Sequence, residues 1–230
     1  MCGVFYFEPV KDTLLFLKDL TTHNDREWFA ANKKRFEAAS KEVEALVGEI
    51  ITKAAKWDKS LEGVQAKDCM FRIYRDVRFS KDKSPYKTAM GALIGKEGRK
   101  STSAINYLHI EPGKSFVAGG AYMPDTAKMK AIRQEIDYNL VEFETLLSQK
   151  DFRGYFKGLE EGEHKGKMMP KGYAKDNPAA EYLKFKSIIA TRYFTDKEVE
   201  SNSFKELVLE GLKLVQPLNA FLNRAMSVPA

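Results

Sequence analysis

The chain has 230 residues, 43% hydrophobic and 30% charged, with 38 Lys and Arg against 32 Asp and Glu for a net charge of +6. That length can bury a core without disulfides or metals, the two cysteines, Cys2 and Cys69, make no disulfide framework, and no apolar run is long enough to span a bilayer. The opening MCGVFYFEPVKD lacks a basic stretch followed by a long apolar one, so it does not read as a secretory signal, and a soluble, cytoplasmic protein without a membrane partner is expected.

The first third reads as helix. Leu14, Leu15, Leu17 and Leu20 form an apolar stripe that breaks at Thr21-Thr22-His23-Asn24. Asn24 or Asp25 suits an N-cap. From there Trp28, Phe29, Phe36, Val43, Leu46, Val47, Ile50 and Ile51 recur at helical spacing to about Trp57, which predicts one long amphipathic helix.

The middle third reads as sheet. From Cys69 to Phe79 the side chains alternate at period two, the pattern of a half-buried strand. The turn KDKSPY follows, then strand candidates over residues 88–95, 104–111 and 115–123. The last two flank the short Pro112-Gly113-Lys114 connection, and short connections predict antiparallel pairing.

The last third returns to helix. Pro124-Asp125-Thr126 opens one, and a second is expected over Val141 to Leu147. Residues 162–178 are rich in glycine, proline and charge, so they read as loop. Ala179 to Phe185 reads as a short helix and Ser187 to Phe194 as a fifth strand. Phe204 to Met226 closes the chain as a helix, with a kink or break expected at Pro217. Helices, then strands, then helices predict a single α+β domain over residues 1–230. Its mainly antiparallel sheet of about five strands would pack against the N- and C-terminal helices.

The charge is not spread evenly. Residues 67–100 hold ten Lys and Arg against four Asp and Glu, which accounts for the whole net excess of +6. A localised basic patch concentrates an anionic ligand in a way a diffuse excess does not. Its centre is RIYRDVRFSKDKSPYKT, residues 72–88. As a strand it sets Arg72, Tyr74, Asp76 and Arg78 on one face and leaves Arg75 on the apolar face, where an unpaired charge is costly. Lys83, Tyr86 and Lys87 add donors from the turn. Guanidinium groups that converge bind phosphate or carboxylate in a bidentate way. The bland alternative is a ladder of Arg–Asp pairs with solvated lysines.

Two features outside this segment bear on a site. Gly119-Gly120 inside a strand marks a close approach, either of a ligand or of a packed element or bulge. His109 shares a strand face with Tyr107 and Glu111, and a histidine there is either a hydrogen-bonded structural residue or a proton carrier. His23 and His164 have no neighbours at ligand spacing, so no metal site is expected. Nor is there a GxxxxGK[ST] loop, and no cofactor is expected.

The opening Met1-Cys2-Gly3-Val4-Phe5 resembles the start of class II glutamine amidotransferases, in which an N-terminal cysteine is the nucleophile. The downstream His-Arg-Gly and Asn-Gly-Glu signals are absent, and a long helical region follows in place of strands. A longer resemblance lies elsewhere. FRIYRDVRFSKDKSPYKT, LHIEPGKSFVAGGAYMP and MPKGYAKDNPAAEYLKFKS, with NDREWF near residues 24–29, resemble the bacterial and fungal conserved hypothetical proteins of domain-of-unknown-function family 2461, over about residues 10–220. That resemblance implies a stand-alone protein of about this length. It also implies a shared site built from the basic segment, the EPG turn with its following glycines, and the PKGY loop. It brings no activity or catalytic residue with it.

The expected function is therefore binding, with or without turnover, of a phosphorylated or other anionic small ligand. The site residues would be Arg72, Arg75, Asp76, Arg78, Lys83, Tyr86, Lys87, Gly119 and Gly120, with Asp76 or His109 as the group that moves a proton. The alternatives are a nucleic-acid-binding module, with Tyr74 and Tyr86 interleaved among the cations, and an interaction scaffold in which the charge ladder is structural.

Overall fold

Residues 10–227 are described by a computed structural model, so the Met1-Cys2-Gly3-Val4-Phe5 opening lies outside the described residues. The described residues open with α1 (Lys11–Thr22), α2 (Arg26–Ala31), α3 (Lys33–Ala54) and the short α4 (Ala66–Cys69). Three strands follow: β1 (Met90–Ile94), β2 (Ile105–Ile110) and β3 (Ser115–Ala121). Four helices, α5 (Thr126–Tyr138), α6 (Leu140–Ser148), α7 (Lys150–Phe156) and α8 (Ala180–Leu183), lead to β4 (Ile188–Phe194). Then come α9 (Asp196–Val199) and α10 (Phe204–Ser227). The strands form one antiparallel sheet in the order β1-β2-β3-β4, so the class is α+β as expected.

The sheet has four strands where about five were expected, and the missing one is Cys69 to Phe79. Cys69 ends α4, and the chain beyond it makes only isolated antiparallel bridges, Met70 with Ala92 and Tyr74 with Tyr86. Arg75 N–H donates to the Pro85 carbonyl at 2.9 Å and Lys87 N–H to the Ile73 carbonyl at 2.7 Å. Pro85 has no N–H to continue the ladder. The expected burial holds at Ile73, which is buried between exposed Arg72 and Tyr74, but Phe71 and Phe79 on the same face are exposed and the backbone around them is irregular.

The expected single helix to Trp57 is two. Asp25 caps α2 by accepting Trp28 N–H at 2.8 Å. At Asn32 the backbone leaves helical geometry, φ −104° and ψ 15°, and the side-chain amide joins the backbone N–H in donating to the Trp28 carbonyl, each at 3.0 Å. At the other end of the chain, Pro217 does not break α10, which runs through it.

The residues group into two compact units. The first takes the chain up to Lys100, then Tyr107–Val117 and Tyr193–Leu209; the second takes Ser101–Asn106, Ala118–Arg192 and Glu210 onward. In the first unit α1 packs on α3, and α3 on α4 and β1. Its core holds Phe16, Leu17, Leu20, Leu46 and Ile50, and each large side chain withdrawn from water contributes about 1.5–3 kcal/mol. In the second unit Ile132, Ile136, Phe143, Leu183, Ile188, Leu218, Phe221 and Leu222 form one buried cluster. Asp125 caps α5 through Lys128 N–H at 2.9 Å, as the Pro-Asp-Thr opening predicts. Among the described residues no helix is long and apolar enough to cross a membrane.

Candidate functional site

The basic segment lies in the first unit and is fastened there from below. Tyr86 is buried, and its ring stacks on Phe29 of α2 at 3.9 Å. The Asn24 side chain then brackets its backbone, donating to the Tyr86 carbonyl at 3.0 Å and accepting Tyr86 N–H at 3.1 Å. Tyr86, an expected ligand contact, is thus an anchor of the segment.

Most of the expected cations are engaged inside the segment. Arg75 pairs with Asp82, whose carboxyl is held well below the usual range by the Ser84 hydroxyl and then by Arg75. Arg78 makes a two-pronged contact to Asp76 at 3.0 and 2.6 Å. That hydrogen bond, followed by the Arg78 N–H, holds the Asp76 carboxyl below its ordinary value. Lys83 donates to the Val77 carbonyl at 2.9 Å. Asp76 therefore holds one arginine, and its two oxygens are occupied by that neighbour.

Arg72 and Lys87 stand apart. Neither makes an ion pair or hydrogen bond through its side chain among the described residues. The Lys87 ammonium is half-buried and sits over the Phe71 ring, 5.4 Å from its centroid. Burial, and then the neighbouring Arg72 charge, push its pKa down.

Next to this pair is a hydrogen-bonded chain along β2. Period-two alternation brings Tyr107, His109 and Glu111 to one face. Tyr107 Oη lies 3.1 Å from His109 Nδ1, and His109 Nε2 lies 3.1 Å from Glu111 Oε2. Thr88, next in sequence to Lys87, donates its hydroxyl to Glu111 Oε1 at 2.9 Å. A carboxylate only accepts, so Nε2 of neutral His109 carries the hydrogen and Nδ1 accepts from the Tyr107 hydroxyl. Burial, then the Glu111 charge, push the Tyr107 phenol up to about 12, so it stays a neutral donor. Phe71 meets Tyr107 edge-on at 6.1 Å and so links the chain to Lys87. Chemically, the face offers two cations, a neutral phenol and an oriented imidazole.

Gly119 and Gly120 belong to the second unit, where both are explained by packing. A methyl group at Gly119 would overlap the Val215 side chain, and one at Gly120, where φ is +129°, would overlap the Ile188 carbonyl. The close approach they allow is of protein to protein. The PKGY loop also belongs to this unit. There an open groove of about 810 Å³ contains Lys165, but Glu161 at 2.9 Å and Glu181 at 3.2 Å already hold its ammonium. Among the described residues no group of three or more His, Cys, Asp and Glu is placed to hold a metal ion.

Phe71, Phe116 and Tyr193 were not singled out by charge or motif. The period-two pattern gives the face of Tyr107 and Glu111. Only the cross-strand register reveals which rings meet. A family model described as a conserved hypothetical protein (DUF2461) matches residues 12–221. No curated protein and no solved structure matches the chain.

Proposed function

The chain belongs to the DUF2461 family of conserved hypothetical proteins, and from that premise we propose that it binds a phosphorylated or other anionic ligand at Arg72 and Lys87. One observation carries the reading: among the described residues neither cation is held by a hydrogen bond or ion pair to a carboxylate, Arg72 feeling Asp76 only through its field, whereas Arg75 and Arg78 are each held by one. A half-buried ammonium beside a like charge is costly, and a bound anion offsets that cost. In this reading the Arg75–Asp82 and Arg78–Asp76 pairs shape the loop. If a proton moves, His109 carries it, since both its ring nitrogens are placed by Tyr107 and Glu111. A cytoplasmic setting fits the free, buried Cys69 thiol.

A second reading, a nucleic-acid-binding module, is favoured by Phe79, whose ring is 96% exposed beside Arg78.

Thermal unfolding with inorganic phosphate, pyrophosphate and citrate at low and high salt tests the first reading. An anion at about 100 times its dissociation constant adds roughly 2.7 kcal/mol of stability. The reading requires a rise in Tm that Arg72→Gln and Lys87→Gln both abolish. An equal rise in those variants, or no rise with any anion, overturns it.

A further inference from the structure

A continuous strip of aromatic rings leads away from Lys87 across the sheet face of the first unit. Phe71 meets Tyr107 of β2 at 6.1 Å, Tyr107 meets Phe116 of β3 at 5.7 Å, and Phe116 meets Tyr193 of β4 at 5.6 Å. The rings of Tyr107, Phe116 and Tyr193 come from successive strands, so the sheet sets their spacing, and Phe71 joins them from the irregular segment, where its N–H donates to the Gly91 carbonyl of β1 at 2.9 Å. They are not core residues: Tyr193 is 60% exposed and Phe71 37%, while Tyr107 and Phe116 are half-buried. Their orientation is fixed from within the face. Tyr107 is held through its hydroxyl by His109, and the His109 ring lies parallel to Phe116 at 4.7 Å and 17°. Consecutive rings are tilted by 74°, 57° and 53°, so each offers its own face, and rings fixed in this way lose little freedom when a flat partner lands on one of them.

An inorganic anion at Arg72 and Lys87 would leave this strip uncovered. We propose that the ligand is a nucleotide unit, free or within a single strand, with its phosphate on Arg72 and Lys87 and its base against the nearest rings, Phe71 and Tyr107, the following bases of a strand reaching Phe116 and Tyr193. The inference rests on the anion-binding reading and adds the ring. Charge and shape agree with it: the cations sit at one end of the strip, and sheet-borne rings beside a cationic edge are a recurrent platform for unstacked bases. The Lys87 ammonium over Phe71 marks where the phosphate end meets the ring end.

Isothermal titration with ribose 5-phosphate, AMP and a short single-stranded oligothymidylate separates the two claims. AMP or the oligomer is expected to bind about tenfold or more tighter than ribose 5-phosphate, the gain that base stacking supplies. Tyr193→Ala, at the exposed far end of the strip, weakens the oligomer and leaves ribose 5-phosphate and AMP binding unchanged, and Tyr193→Phe restores it. AMP tighter than the oligomer per site identifies a free nucleotide; the oligomer tighter identifies a strand. AMP and oligomer no tighter than ribose 5-phosphate overturns the stacking proposal while the anion site stands. No binding of any of the three overturns both.

Discussion

The phenol ring of Tyr86 lies flat against Phe29, with 3.9 Å between centroids and 13° between planes. This stack and the Asn24 bracket are what hold an irregular, highly charged segment onto a helical core. Tyr86→Ala should cost about 3 kcal/mol of stability in urea unfolding. Tyr86→Phe keeps the stack and should cost little. Comparable losses in the two variants would show that the hydroxyl, and not the ring, holds the segment.

Asn24 serves both backbone groups of Tyr86. Asn24→Ala leaves them without partners and should cost about 1–3 kcal/mol. Amide hydrogen exchange gives the local check: protection should fall first over residues 72–88. Uniform loss across the chain would mean that Asn24 acts on the whole fold.

The pairing pattern separates the arginines. Arg78→Gln removes a guanidinium already held by Asp76, so anion affinity should hardly change. Arg72→Gln removes one that makes no ion pair or hydrogen bond through its side chain among the described residues, and affinity should fall on the order of tenfold. Equal losses in titration would mean that the segment acts through its summed charge.

Alkaline stability tests the buried phenol. Tyr107 is raised from 10.0 to about 12, so the folded state binds this proton more tightly than the unfolded state. Its contribution is complete below the unfolded value of 10.0 and disappears as pH rises through about 12. Tyr107→Phe should therefore lose less stability than the parent over that interval. Parallel curves would place the Tyr107 hydroxyl in water.

The glycines of β3 make a packing prediction. Gly120→Ala meets the Ile188 carbonyl at a backbone angle of φ +129° and should cost about 2–4 kcal/mol. Gly119→Ala meets a side chain instead, so Val215→Ala in the same chain should recover part of its loss. Failure of that rescue would point to a reason other than Val215 for glycine at position 119.

Four of the strands and the main helices were legible because burial imposes a period on the residues that make them. Leu14, Leu17 and Leu20 on α1, and Asn106, Leu108 and Ile110 on β2, are buried at the spacing their elements require. Cys69 to Phe79 has the same sequence alternation without the ladder, and with Phe71 and Phe79 exposed, because a hydrophobic period does not report whether the partner backbone can donate. Pro85 cannot. The split at Asn32 was invisible for a related reason, since apolar spacing continues across it. Charge located the basic segment but not the division between paired and unpaired cations. Arg75 with Asp82, seven positions apart, depends on a turn whose geometry composition does not specify. The ring strip is hidden further still, because Tyr107, Phe116 and Tyr193 are brought together only by strand register and Phe71 by the irregular segment beside β1.

The anion site is tested most directly by a titration of the backbone amide resonances of the ¹⁵N-labelled protein with pyrophosphate. The account predicts saturable shifts centred on Phe71 to Tyr74 and on Tyr86 to Thr88, lost in Lys87→Gln. Shifts centred instead on the Lys165 groove, or scattered over the surface without saturation, would contradict it.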